Sequence, residues 1–221
     1  MWLSVQTNKY QNIFNMNTVI DLNTILQNAI NASMSYQEFK TLVNDLIDKG
    51  QSTGHTQNED MLHYSKMSVR RIKRWDKTFE FSESDKTFFE NLSQPITFLV
   101  IAEGWCGDAA HALPILNKIA ETSPNLELKV VLRDDNDELM QEFLTNGGKA
   151  IPKLIALDNN NNVLFTWGPR PKEATEMVKA YKEKYGQLTP EFKEDLQKWY
   201  NKDKGQSTVK DIRSQLEAVA L

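Results

Sequence analysis

The chain contains a single cysteine, Cys106, among its 221 residues. One cysteine excludes an internal disulfide framework and a zinc site built from several cysteines, and it favours a reducing, cytoplasmic location. Long apolar runs are missing as well, because no window approaches the roughly 18 apolar residues of a membrane span. The first residues, MWLSVQTNKYQNIFNMNTVI, have neither the basic opening nor the apolar stretch of a signal peptide.

An excess of charge of one sign is also lacking, since 26 basic and 30 acidic side chains leave a net charge of only −4. No global field therefore predicts a nucleic-acid or membrane partner. The chain has three histidines, and neither His55 nor His63 is assigned a metal role. The sequence accordingly predicts no metal site.

Helical periodicity dominates the chain before residue 93. Ser35 and Glu38 form a capping box at the start of one helix. The polar segment 51–58 is the best candidate hinge. Residues 1–15 have no clear period and are expected to be either a frayed arm or a stretch preceding a functional start at Met16. The predicted helices cover 18–31, 35–50, 60–75 and 84–92.

The pattern changes after Pro95, where ITFLVIAE predicts a strand buried on both faces. KLIALD and VLFTW flank the turn-forming DNNNN and predict a hairpin over 153–167. The predicted order is β-α-β-α-β-β-α, which implies a parallel pair of strands with an antiparallel edge. The other predicted elements are strands at 96–103 and 126–133 and helices at 106–121, 137–148, 171–185, 189–203 and 206–220.

The cysteine lies in EGWCGDAAHALP, residues 103–114, at the start of a predicted helix. A cysteine there lies among unpaired N–H groups at the positive end of the helix dipole, which favours the thiolate. We therefore expect Cys106 to be partly accessible and to titrate below the reference thiol pKa of about 8.5. The alternative is a buried, inert thiol.

This stretch resembles the thioredoxin family, whose hallmark is W-C-G-P-C at a helix start with a proline eight residues after the first cysteine. Trp105, Cys106 and Gly107 match the hallmark, and Pro114 matches the proline. The family also has a cis-proline loop that faces the cysteine and opens a hairpin. Ile151-Pro152 occupies that place here, before KLIALD.

The resemblance implies a thioredoxin-like core with helical extensions at both ends. The expected boundaries are an N-terminal helical extension over 1–57, a thioredoxin-like domain over 58–187 and a C-terminal helical extension over 188–221. The apolar faces of the extensions are expected to pack on the core, and a partner surface is the alternative.

Two departures from the family pattern put the dithiol mechanism in doubt. Asp108 replaces the usual proline, and Ala109 replaces the second, resolving cysteine. The family's buried acid would fall six residues before Cys106, where this chain has Val100. Asp108 is expected to stabilise the first turn of the helix, and its alternative role is to accept a proton from Cys106. Its negative charge would also raise the thiol pKa.

Other polar residues near the motif have simpler interpretations. His111 lies about 140° around a regular helix from Cys106, so no catalytic role is expected. Arg71 and Arg74 belong to a basic cluster that is expected to be a solvated face. The alternative is that one of them reaches the sulfur, lowers its pKa and binds the carboxylates of a low-molecular-weight thiol.

Three functions remain, and the first narrowly leads. A monothiol thiol-disulfide oxidoreductase would attack protein or small-molecule disulfides through Cys106 and rely on an external thiol for resolution. A binding module would keep the groove formed by Trp105, Gly107 and the Ile151-Pro152 loop without turnover. A redox sensor would be modified reversibly at Cys106. No cofactor is predicted beyond a low-molecular-weight thiol as candidate co-substrate, and no particular oligomeric state is predicted.

Overall fold

The computed structural model describes residues 21–219. The expectations for residues 1–15 and Met16 lie outside the described residues. The helices and strands are α1 Leu22–Ala32, α2 Tyr36–Asp48, α3 Glu59–Thr78, α4 Glu83–Glu90, β1 Ile96–Ala102, α5 Ala109–Thr122, β2 Leu126–Leu132, α6 Asp137–Glu142, β3 Lys153–Leu157, β4 Val163–Trp167, α7 Lys172–Tyr185, α8 Pro190–Asp203 and α9 Gln206–Ala218.

Four strands form one mixed sheet in the order β2-β1-β3-β4. Strand β1 pairs in parallel with β2 and antiparallel with β3, and β4 pairs antiparallel with β3. All residues of β1 except Thr97 are buried, as expected for a central strand covered on both faces. The predicted α/β fold with the order β-α-β-α-β-β-α is therefore confirmed.

The helix boundaries follow local signals in part. Helix α2 begins with the predicted capping box, in which Ser35 and Glu38 each accept a hydrogen bond from the other's backbone N–H. Helix α6 is shorter than the predicted 137–148. It ends at Glu142 because a turn closed by Thr145 and Gly148 follows it.

The polar segment 51–58, predicted as a hinge, is held against the end of β1 instead. The Thr53 hydroxyl accepts a hydrogen bond from the N–H of Gly104 at 2.8 Å, and the His55 N–H donates to Asp134 at 3.0 Å. The segment therefore supports the loop that carries Cys106.

A single large apolar core includes α1, α2 and α9 together with the sheet, as Leu26, Phe39 and Ile212 illustrate. A second, smaller cluster joins α7 and α8 through Val178 and Phe192 among others. Helix α8 thus packs mainly on α7. Hydrogen bonds from its residues Gln197 and Tyr200 attach it to the start of α5.

Candidate functional site

Cys106 lies in the turn between β1 and α5, and its carbonyl accepts the N–H of Ala110 at 3.0 Å. The residue is only 7% exposed. Its thiol donates a hydrogen bond to the carbonyl of Ile151 at 3.3 Å, and the N–H of Ala109 points at the sulfur at 3.4 Å. The first turn of α5 and the loop before β3 therefore meet at the sulfur atom.

The surroundings of Cys106 favour the protonated thiol over the thiolate. Burial is the main cause, and with the negative charge of Asp108 it raises the pKa of the thiol to about 12. The N–H groups of Ala109 and Asp108 and the charge of Arg170 act in the opposite direction but do not compensate. The expectation of an accessible thiol with a lowered pKa is therefore wrong for this structure, because desolvation outweighs the helix terminus.

The Ile151-Pro152 loop faces the cysteine, and its peptide bond is cis. Gly168, which follows β4, lies directly against the loop at a φ of +115°, and a Cβ there would collide with the Pro152 carbonyl oxygen. Ile151 is 7% exposed, and its N–H has no hydrogen-bond partner among residues 21–219. The loop thus leaves one backbone donor unused beside the sulfur.

Asp108 lies at the start of α5, as expected for a first-turn acid, but its side chain makes no capping hydrogen bond. Its carboxylate instead accepts one hydrogen bond from the Tyr200 hydroxyl at 2.9 Å and contacts the Arg170 guanidinium at 2.5 Å. Burial raises the pKa of Asp108, although Arg170 opposes this change. Asp108 is therefore the point where α5, α8 and the loop after β4 are joined.

His111 is buried and serves packing. Its Nδ1 accepts the indole N–H of Trp75 at 2.8 Å, so Nε2 carries the proton and donates to Gln197 at 3.0 Å. Its ring stacks on Tyr200 with centroids 3.9 Å apart. Burial lowers the pKa of His111 to about 3, so the imidazole is neutral. These contacts occupy both ring nitrogens of His111.

The two arginines considered from sequence have different positions. Arg71 contacts the start of α5, where its Nη1 lies 2.9 Å from the place a Cβ at Gly107 would occupy. It is half-buried and interacts electrostatically with Asp108 and Cys106. Arg74 lies over the Trp75 ring at 4.6 Å. The structure therefore brings Arg71, and not Arg74, next to the cysteine.

The remaining motif residues frame the cysteine. Trp105 is half-buried under the guanidinium of Arg133, 4.9 Å from its ring centroid. Ala109, in the place of a resolving cysteine, is buried. Val100 lies inside β1, where no acid is present.

Sequence reasoning missed a buried acid, Glu103, which directly follows β1. It is 1% exposed, and one oxygen accepts the N–H of Asp134 at 3.0 Å. The other oxygen has no partner among the described residues, and burial raises the pKa of Glu103. The signal was available, because Glu103 continues the uninterrupted apolar run of β1. Arg170, Gln197 and Tyr200 were also missed, and no local pattern marks them.

Two further findings concern the described part of the chain. Across residues 21–219, no helix combines the length and apolar character needed to cross a bilayer. In the same residues, no group of three or more His, Cys, Asp or Glu side chains is arranged to hold a metal ion.

Comparison with known proteins gives a family and a fold. Residues 54–183 match the family model described as thioredoxin. A crystal structure of a Pseudomonas aeruginosa protein of unknown function superposes with a TM-score of 0.60 at 15% identity, covering 87% of this chain and 96% of that one. An HIV epitope-scaffold gives 0.54 at 17% identity, with 84% and 99% covered. A search of curated proteins found no match. At these identities, the structural likeness supports the fold alone.

Proposed function

Because the chain belongs to the thioredoxin family and its one cysteine is buried, we propose that it is a thioredoxin-fold binding protein without dithiol turnover. Its ligand is an extended peptide segment that pairs with the backbone of the Ile151-Pro152 loop. This was the alternative to catalysis in the sequence interpretation, and the protonated state of Cys106 now favours it.

The observation that carries the proposal is the unused N–H of Ile151. Backbone donors pair with protein groups or with water, so an N–H that no group within residues 21–219 accepts is available to a ligand. A carbonyl of an extended segment is such an acceptor, and this mode of binding gains affinity from main-chain hydrogen bonds.

Cys106 has a positioning role in this proposal. Its thiol donates to the Ile151 carbonyl and fixes the loop beside the start of α5. With a pKa of about 12, the thiol is almost entirely protonated at pH 7. The thiolate is the nucleophile in disulfide exchange, so the closed site is inert. A reducing, cytoplasmic location would suit this role, because the thiol would remain reduced there.

A second candidate is monothiol exchange, and the groups around the sulfur favour it. The N–H groups of Asp108 and Ala109 and the charge of Arg170 all stabilise a thiolate once burial is relieved. In that case Cys106 attacks a disulfide, forms a mixed disulfide and releases one thiolate. An external thiolate then attacks the substrate sulfur of the mixed disulfide, forms a new disulfide with it and releases Cys106 as the thiolate. A redox sensor would use the first step without reducing a substrate.

The binding proposal is tested by selecting displayed random heptapeptides against the full chain under reducing conditions. Selected peptides should bind Cys106→Ser about as well as wild type, because serine retains the donor to Ile151. They should bind Ile151→Ala, which keeps the N–H, and lose at least about tenfold affinity for Ile151→Pro, which removes it. Equal binding to Ile151→Pro would overturn the proposal.

Two measurements complete the design. If Ile151→Pro does not fold, hydrogen exchange of the Ile151 amide in wild type is the readout, and peptide should slow it. Mass spectrometry after incubation with oxidised glutathione separates the second candidate from the first. A mixed disulfide on Cys106 that added thiol releases, with substrate reduced in proportion, would support monothiol exchange. A reversible adduct without substrate reduction would support a sensor.

A further inference from the structure

The arginines around the start of α5 are not balanced by acids. The charges of Arg71 and Arg170 act on Asp108. The charges of Arg71 and Arg74 act on His111. The acid among these neighbours is Asp108, and His111 is neutral. Among residues 21–219, Asp108 is the one carboxylate that forms a salt bridge with any of these three guanidinium groups, so positive charge is in excess in this half-buried region.

The donors of these arginines are also incompletely used. Arg71 makes no hydrogen bond and no salt bridge to any side chain or backbone group within residues 21–219. Nη2 of Arg74 and Nε of Arg170 are buried without a hydrogen-bond partner in the same residues. Leaving a buried donor unpaired is costly, and the cost is greater for a charged group. The Asp108 carboxylate accepts from the Tyr200 hydroxyl and contacts another nitrogen of Arg170, and it makes no hydrogen bond to either of these two nitrogens.

Arg71 is the member that a ligand can reach. Its nitrogens are not among the buried atoms, and the side chain is half-buried against Gly107. Gly107 lets the guanidinium approach the backbone, since a Cβ there would lie 2.9 Å from Nη1. The guanidinium fork presents a pair of parallel N–H groups that match a carboxylate.

We propose that Arg71, with Gly107 beside it, is an anion subsite that binds a carboxylate of the ligand next to Cys106. This inference rests on the proposed function, because it gives that ligand its chemistry: an acidic group close to the segment that pairs with Ile151. Arg170 already forms a salt bridge with Asp108, so it attracts the ligand carboxylate by its charge and does not bind it directly.

The test uses succinate as the probe and thermal unfolding of the full chain as the readout, at constant ionic strength with chloride as the reference anion. A ligand that binds only the native state raises the unfolding temperature in a saturable way. Wild type should show this rise. Arg71→Gln should bind succinate at least about tenfold more weakly, and Arg71→Lys should fall between the two, because it keeps the charge and loses the fork.

Arg70→Gln is the matched control, since Arg70 is the exposed neighbour on the same helix, and it should respond as wild type does. A purely structural Arg71 would behave differently: Arg71→Gln would destabilise the protein without changing the succinate response. That result, or no rise with succinate in wild type, would overturn the subsite. If succinate binds at Arg71 but no selected peptide depends on the Ile151 N–H, the anion subsite is supported and the proposed peptide-binding function is refuted.

Discussion

The neutral His111 makes the stability of the protein depend on pH in a way that can be calculated. Its pKa in the folded protein is about 3, whereas histidine in an unfolded chain has a pKa of about 6.5. Below pH 6.5 the unfolded chain takes up a proton that the folded protein does not, so acidification favours unfolding. The contribution of His111 is fully present above pH 6.5 and is lost progressively towards pH 3. Between pH 6.5 and pH 5, the loss is about 2 kcal/mol of unfolding free energy.

The variant His111→Gln isolates this effect. Glutamine can accept the Trp75 indole N–H and donate to Gln197, but it does not titrate. Urea unfolding at pH 7, 6 and 5 should show wild type losing about 2 kcal/mol more than the variant over this range. The variant should be less stable at pH 7, because it loses the stacking on Tyr200. Parallel pH dependence of the two proteins would refute a buried neutral imidazole.

Three further predictions concern the same region. Gly168→Ala should destabilise the protein by about 2 kcal/mol or more, because the added methyl group would collide with the Pro152 carbonyl at a residue with positive φ. The control Gly186→Ala, at a φ of +77° with open space around it, should cost about 1 kcal/mol. Urea unfolding compares the two variants. Tyr200→Phe removes the hydroxyl that donates to the partly buried Asp108 and should cost about 1–3 kcal/mol, while Tyr64→Phe on the surface should be neutral. Ala109→Cys should form a disulfide with Cys106 when it refolds from urea under oxidising conditions, seen as a mass loss of about 2 Da, because the backbone nitrogen of residue 109 lies only 3.4 Å from the sulfur; two free thiols in the refolded variant would contradict this geometry.

The core could be predicted because each of its signals is local. The run ITFLVIAE is a strand covered on both faces, and the turn between KLIALD and VLFTW fixes the hairpin. The place of Pro152 opposite Cys106 was implied by the resemblance to the thioredoxin family rather than by any local signal. The strand and the hairpin depend on residues close together in the chain, and the structure has them where the sequence indicated.

The state of the cysteine could not be predicted in the same way. A helix start argues for a thiolate, and the N–H groups near Cys106 do act in that direction. Burial and Asp108 outweigh them, and the extent of burial depends on tertiary packing. The partners of Asp108, Arg170 and Tyr200, come from the loop after β4 and from α8, far along the chain. No periodicity in the sequence indicates that these segments meet.

The protonated, enclosed state of Cys106 is the central claim, and its alkylation rate against pH tests it most directly. The chain has one cysteine, so every modification reports on this site. With a pKa of about 12, the folded protein at pH 7 should react with iodoacetamide about a thousandfold or more slowly than an unstructured cysteine peptide. The rate should still be rising at pH 10, and urea-unfolded protein should react as the peptide does. A folded protein that is alkylated rapidly at pH 7, with a rate that levels off below pH 8.5, would contradict the account.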